Sequence, residues 1–264
     1  MTATRARLDT ELVRRGLARS REQAGELVAA GLVAVAGQRA AKPATQVSRD
    51  APITVKESGE PGYVSRGGHK LAGALAAFGD LRVEGRNCLD AGASTGGFTD
   101  VLLRAGAAHV VAADVGYGLL AWSLRTDPRV TVLDRVNVRT LDRVTPVPEL
   151  VVADLSFISL TLVLPALVDC ATPDADFVLL VKPQFEVGKG RVGAGGVVRE
   201  TTDRSGAVKK VTGAAAELGL GVQGITASPL PGPAGNVEYF VWLRRGAPPL
   251  DEEQLGRAIE EGPS

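Results

Sequence analysis

The chain has 264 residues, with 30 Lys plus Arg against 30 Asp plus Glu and a formal net charge of zero. At about 150 residues per domain there is room for roughly two domains. An apolar share of 45% with 23% charged residues excludes a disordered chain and predicts a packed core. Glycine, at 32 residues, is well above its usual ~7% without any collagen period, which implies many tight backbone turns.

The neutral total is an average. Residues 1–58 carry 10 basic and 6 acidic side chains (net +4), residues 59–246 carry 19 of each, and residues 247–264 carry 1 and 5 (net −4). A basic head and an acidic tail cancel, so the balance does not argue against a nucleic-acid partner. Cys88 and Cys170 lie in the apolar runs NCLDAG and LVDCAT and are expected to be buried thiols; two cysteines supply no metal cluster, and no metal is expected. MTATRARLDT lacks the apolar stretch of a secretory signal, and no window approaches the ~18 apolar residues that span a bilayer. The expectation is a cytoplasmic protein with no membrane association.

In the head, Leu8, Leu12 and Val13 fall at helical spacing, Gly16 is placed to end that helix, and Ser20 is a good N-cap for a second. The second helix turns Ala24, Leu27 and Val28 to a core and stops at Gly31. LVAVAGQRA alternates around Gly37 as a short hairpin does, and ITV at 53–55 is a further strand. Arg14, Arg15, Arg19 and Arg21 gather where the helices meet, with Arg39, Lys42 and Arg49 in the loops that follow. Composition alone allows either a solvated basic face or a patch of guanidinium forks for phosphate oxygens. The run from Arg7 to Val55, through RLD, GLARSR, AGLVAVAG and the following KP, resembles the small RNA-binding domain named after ribosomal protein S-four. The resemblance implies that Arg7, Arg14, Arg15, Arg19, Arg21, Arg39 and Lys42 grip structured RNA. This α+β module occupies residues 1–58. A Gly/Pro/Ser-rich linker follows at 59–64, the large domain covers 65–246, and 247–264 is an acidic tail that could form one short helix or none.

From residue 65 onward strand-like and helix-like stretches alternate. NCLDAG, HVVAADV, VTVLD, ELVVADLS, DFVLLVKP, VQGITA and VEYFVWL read as strands, with helices such as GFTDVLLRAG and LTLVLPALVDCA between them. The pattern predicts an α/β doubly wound sheet whose ligands bind at the carboxyl ends of the strands. The first strand ends in DAGASTGGFTD, where Gly92, Gly96 and Gly97 permit a tight strand-to-helix turn and Asp90 supplies a carboxylate. It is not G-x-G-x-x-G and has no Walker lysine, which weakens dinucleotide and triphosphate readings. Asp114, at the next strand end, is placed to accept from ribose hydroxyls.

This arrangement resembles the S-adenosylmethionine site of Rossmann-like methyltransferases. It implies that the cofactor's amino-acid end lies along Gly92–Gly97, with Ser94, Thr95 and Phe98 in the same turn, its ribose at Asp114, and its adenine near Asp134, Arg135 and Asn137. Four ionisable residues sit in apolar surroundings: Lys70 in RGGHKLAGAL, Asp154 in LVVADLSF, Lys182 in FVLLVKPQF and Glu238 in GNVEYFVWL. A lysine after five apolar residues requires partners, and Asp154 and Glu238 are expected to supply them. One by one these residues could form a structural ion-pair network at the sheet edge. As an ordered Lys-Asp-Lys-Glu set they resemble the tetrad of FtsJ-like ribose 2′-O-methyltransferases.

With the N-terminal module, the resemblance narrows to the TlyA family, also called hemolysin A, and covers nearly the whole chain through YVSRGGHKL, LDAGASTGGFTD, DRVNVR, ADLSFISL, LVKPQFE, GKGRVGAGGVVRE and GNVEYFVWL. It implies a monomeric, class I, seven-stranded and mostly parallel methyltransferase domain that methylates a cytidine 2′-hydroxyl in the RNA of both ribosomal subunits, 16S and 23S. Lys182 is then the candidate base, held with the ribose by Asp154 and Glu238, and Lys70 completes the set. Flanking carboxylates favour the ammonium, whereas a base must be neutral, so positioning and the sulfonium's electrophilicity carry most of the rate. Arg66, and Lys189 and Arg191 in the glycine-rich loop after Lys182, complete the RNA-contacting set; the plain alternative for that loop is a surface loop. Competing functions are a membrane-active toxin, opposed by the lack of an apolar span, and an RNA-binding assembly factor with an inactive domain, opposed by the intact glycine loop and tetrad.

Overall fold

The computed structural model describes residues 5–18, 20–29, 31–55 and 62–263. Arg19 and linker residues 59–61 lie outside them, as does the Lys189 side chain. The chain divides into two compact units, residues 1–65 and 66–264.

The first unit runs β1 (Arg5–Arg7), α1 (Leu8–Arg14), α2 (Arg21–Ala29), β2 (Val33–Val35), β3 (Gln38–Arg39), β4 (Gln46–Ser48) and β5 (Ile53–Val55). The helix spacing turns Leu8, Leu12, Ala24 and Val28 into one small core with Val33 and Val47. Gly16 and Gly31 follow the two helices with φ of 71° each, and Ser20 Oγ accepts from Gln23 N at 3.1 Å at the start of α2. β2 pairs antiparallel with β3 across the Ala36-Gly37 turn and with β5 on its other side. The ladder of β1 with β4 is a feature that periodicity does not reveal, because each strand has three residues and one inward apolar side chain.

The second unit contains α3 (Gly67–Ala77), β6 (Asn87–Ala91), α4 (Gly97–Arg104), β7 (His109–Asp114), α5 (Trp122–Arg125), β8 (Val130–Asp134), β9 (Leu150–Ala153), α6 (Leu164–Cys170), β10 (Asp176–Val181), α7 (Pro183–Glu186), α8 (Thr201–Glu217), β11 (Leu220–Ala227), β12 (Tyr239–Arg245) and α9 (Glu252–Glu260). Its seven strands are ordered β11-β12-β10-β9-β6-β7-β8. β12 is antiparallel to both neighbours, while β8, β7, β6, β9 and β10 pair in parallel. This is the doubly wound, mostly parallel sheet of seven strands that the alternation predicts. Chain order reverses between β6 and β9, which opens a crevice at their carboxyl ends.

The central strands are buried along their whole length, as helices on both faces require. LTLVLPALVDCA is not one helix. A single turn at Leu160–Leu162 precedes α6, and Pro165, which lacks an N–H, sits in the first turn of the latter. Cys88 and Cys170 are free and buried. The acidic C-terminal stretch carries α9, whose first turn is capped by Asp251 Oδ1 accepting from Glu253 N at 2.9 Å. Leu255 and Ala258 of α9 are buried in the same core as Leu89, Val151 and Leu179. Among the described residues no helix is long and apolar enough to cross a membrane.

Candidate active site

At the crevice, Asp114 ties two loops together. Its Oδ2 accepts from Ser94 N at 2.8 Å and its Oδ1 from Gly116 N at 2.7 Å, joining the turn after β6 to the turn after β7. A carboxylate has about four acceptor positions, so two remain for a ligand diol. Gly92 has φ 86°, and a Cβ there would stand 2.6 Å from the Asp154 carbonyl oxygen and 2.9 Å from Leu155. Glycine is what lets the loops after β6 and β9 approach this closely.

Between them lies a cavity of about 430 Å³ whose walls include Gly92, Ser94, Asp114, Asn137, Asp154 and Ser156, with an apolar side formed by Val115, Leu119 and Val138. Asn137 Oδ1 accepts from Arg139 N at 3.0 Å, which leaves its amide N–H groups as donors.

Other residues singled out for the cofactor do not line this cavity. Arg135, at φ 61°, directs its guanidinium over the Tyr117 ring at 4.4 Å. Gly96 and Gly97 form the start of α4, Phe98 packs beside Phe240 at 6.0 Å, and Thr95 offers its carbonyl to Ala121 N. Asp90 is fully buried; Thr99 Oγ donates to its Oδ2 at 2.6 Å, and its Oδ1 has no hydrogen-bond donor among the described residues. Burial pushes this carboxyl up to about 7, against the opposing Thr99 bond.

The four ionisable residues come together as two pairs. Lys182 Nζ is 2.5 Å from Asp154 Oδ1 and donates to Ser156 Oγ at 3.0 Å. The β10–β12 register, which pairs Val181 with Tyr239, brings Glu238 to the position beside Lys182. Glu238 nevertheless meets Lys70 of α3, at 2.5 Å from its Oε2, and Gln184 Nε2 approaches the other oxygen at 3.5 Å. The expectation of one lysine between two acids is therefore corrected: among the described residues Lys182 contacts one carboxylate and one hydroxyl. The physical reason is that α3 carries its own buried cation to Glu238.

Three features had no clear signal in the sequence. Ser156 and Phe157 line the cavity, and Phe157, at φ 64°, is 91% exposed with its ring 5.2 Å from that of Phe185. Glu186, buried, accepts from Ser159 Oγ at 2.5 Å and Leu160 N at 2.6 Å, binding the loop after β9 to α7. The run Asp-Leu-Ser-Phe, a polar residue and an aromatic just after the strand-end Asp154, is the one hint in the sequence.

The arginines of the first unit are organised by two buried acids. Asp9 pairs with Arg7 at 2.7 Å and Arg21 at 3.1 Å; Glu11 pairs with Arg14 at 2.6 Å and Arg15 at 2.7 Å. The Arg7 bond first, then Arg21 and the Thr10 amide, hold Asp9 well below the carboxylate range, and Arg14 and Arg15 bring Glu11 down to about 2. Arg15 faces inward and also donates to the carbonyls of Ala51 and Arg49. Arg39 and Lys42 are exposed. In the second unit Arg66 donates to the Pro231 carbonyl at 2.6 Å, and Arg191 pairs with Asp203 at 3.1 Å.

Residues 63–245 match the model of the FtsJ-like methyltransferases and residues 6–53 that of the S4 domain. The chain belongs to the FtsJ-like methyltransferase family. S-adenosylmethionine is the methyl donor of this FtsJ-like domain. The chain is 62% identical to the 16S/23S rRNA (cytidine-2′-O)-methyltransferase TlyA of Mycobacterium tuberculosis, over 99% of this chain and 100% of that one. It is 36% identical to hemolysin A of Brachyspira hyodysenteriae over 89% and 98% of the two chains. A solved structure from Streptococcus thermophilus, assigned as a hemolysin, is 39% identical and covers 98% of both chains with a TM-score of 0.76.

Proposed function

We propose that the chain methylates the ribose 2′-hydroxyl of a cytidine in ribosomal RNA of both subunits, 16S and 23S, acting in the cytoplasm as a monomer. The observation that carries the reading is Asp154, which lines the cavity with Gly92 and Asp114 and pairs with the buried Lys182. Near-complete coverage of the Mycobacterium relative supports the substrate class.

S-adenosylmethionine would supply an electrophilic methyl group. The cavity's donor and acceptor set fits it: the glycine turn leaves room at Gly92 and Ser94, Asp114 retains acceptor positions for a diol, and Asn137 retains donors for a base edge. What remains falls to this chain. Lys182 Nζ receives the proton of the attacking hydroxyl, Asp154 balances the charge of the resulting ammonium as its ion-pair partner, and Lys70 holds Glu238 at the next position along the sheet edge. Arginine forks of the first unit and Arg191 contact phosphates, and the RNA's own shape does much of the selecting.

The experiment is tritium transfer from labelled S-adenosylmethionine to ribosomal subunits and to naked RNA. Lys182→Ala is expected to abolish transfer while cofactor binding persists. Near-normal turnover in that variant, or no transfer by the native protein to either substrate, would overturn the reading.

A further inference from the structure

We propose that Ser156 is a positioning residue for methyl transfer, holding the Lys182 amine at the cavity wall in both of its protonation states. This rests on Lys182 being the proton acceptor.

Lys182 follows β10 and is buried, 8% exposed. Its Nζ is fixed by two residues of the loop after β9, Asp154 at 2.5 Å and Ser156 at 3.0 Å, and both line the cavity. The two contacts differ: Ser156 Oγ accepts a hydrogen bond from Nζ, whereas Asp154 faces it as an ion pair. A neutral primary amine keeps two N–H donors and one lone pair, so Ser156 Oγ accepts an N–H from the ammonium and from the amine alike and leaves the lone pair for the hydroxyl proton. Glu238 cannot take this role, because Lys70 holds it.

The balance of the step shows why both states matter. The hydroxyl oxygen bonds to the methyl carbon as the carbon–sulfur bond breaks with its electron pair on sulfur, and the hydroxyl proton passes to neutral Nζ. The amine must therefore be aimed before the step as well as after it. Without Ser156 the amine loses the one Nζ contact of hydrogen-bond geometry among the described residues, and its lone pair has no fixed direction.

Ser156 is exposed, so its replacement leaves the core intact. Ser156→Ala in the full chain is expected to slow single-turnover methylation of ribosomal subunits about tenfold, with cofactor affinity, RNA KM and unfolding midpoint unchanged. Ser156→Thr, which keeps the hydroxyl, should restore the rate to within about twofold. A wild-type rate in Ser156→Ala, equal losses in the Ala and Thr variants, or a loss explained by weaker cofactor binding would each overturn the proposal. Lys182→Ala separates the two levels. If it is inactive while Ser156→Ala is normal, only the role of Ser156 falls; if it is active, the reading beneath falls with it.

Discussion

Lys70 Nζ donates to Glu238 Oε2 at 2.5 Å, across 168 positions of chain, with 6% and 0% of the two side chains exposed. Two charges taken this far from water are held by each other and, on the second Glu238 oxygen, by Gln184. A buried pair of this kind contributes little net stability when compared with an apolar pair, but is costly to break. Lys70→Ala is therefore expected to destabilise the chain by about 3–5 kcal/mol in urea unfolding, because Glu238 is left buried and uncompensated. Combining Lys70→Met with Glu238→Gln should recover most of that loss without recovering methyl transfer. Equal stability of the single and double variants would refute this account of the pair.

Asp90 makes stability depend on pH. Its carboxyl sits at about 7 in the folded chain, against ~3.9 when unfolded, because burial disfavours the charged form. Between those values the native state carries a proton that the unfolded state has released. Stability therefore falls as pH rises from about 4 to about 7, at up to ~1.4 kcal/mol per pH unit from this group, and is fully present only below the unfolded value. Asp90→Asn keeps an acceptor for Thr99 and removes the titration. The difference in unfolding free energy between the native protein and the variant should follow this slope; a difference that grows in the native protein's favour with pH would contradict it.

The arginines of the first unit should separate into two kinds. Arg14 and Arg21 are paired to buried acids yet keep 51% and 60% of their side chains exposed, whereas Arg15 keeps 21%. Arg14→Ala and Arg21→Ala are expected to weaken RNA binding and to reduce the slope of log affinity against log salt by roughly 0.7–0.9 each, with cofactor affinity unchanged. Arg15→Ala should act on folding instead, by about 1 kcal/mol, since it removes the donor from the Arg49 and Ala51 carbonyls. Filter binding across a salt series, read beside thermal unfolding, checks both. Unchanged salt slopes would rule out phosphate contact by Arg14 and Arg21.

Much of the architecture was legible because it follows from local rules. Continuous apolar runs such as Asp176–Val181 imply strands covered on both faces, and the glycines after Asp90 imply a tight turn into a helix. The strands β1 and β4 were not legible, since RAR and QVS carry one apolar residue each, whereas the ITV of β5 is a β-branched run. Charge separated the final segment as a tail, yet α9 buries Leu255 and Ala258 in the sheet core, because its acids project outward while one apolar stripe turns in.

The same division holds at the cavity. By itself the sequence determined that Asp90, Asp114, Asp154 and Lys182 stand at strand ends, since side-chain positions along a strand are set by a fixed rise per residue. Only the tertiary structure decided which charges meet. Lys182 takes Asp154 and Ser156, and Glu238 takes Lys70, because α3 brings a second cation to the sheet edge from more than 160 residues away in the chain. Partnership between buried charges depends on depth and direction in space, and no periodicity in the chain encodes either.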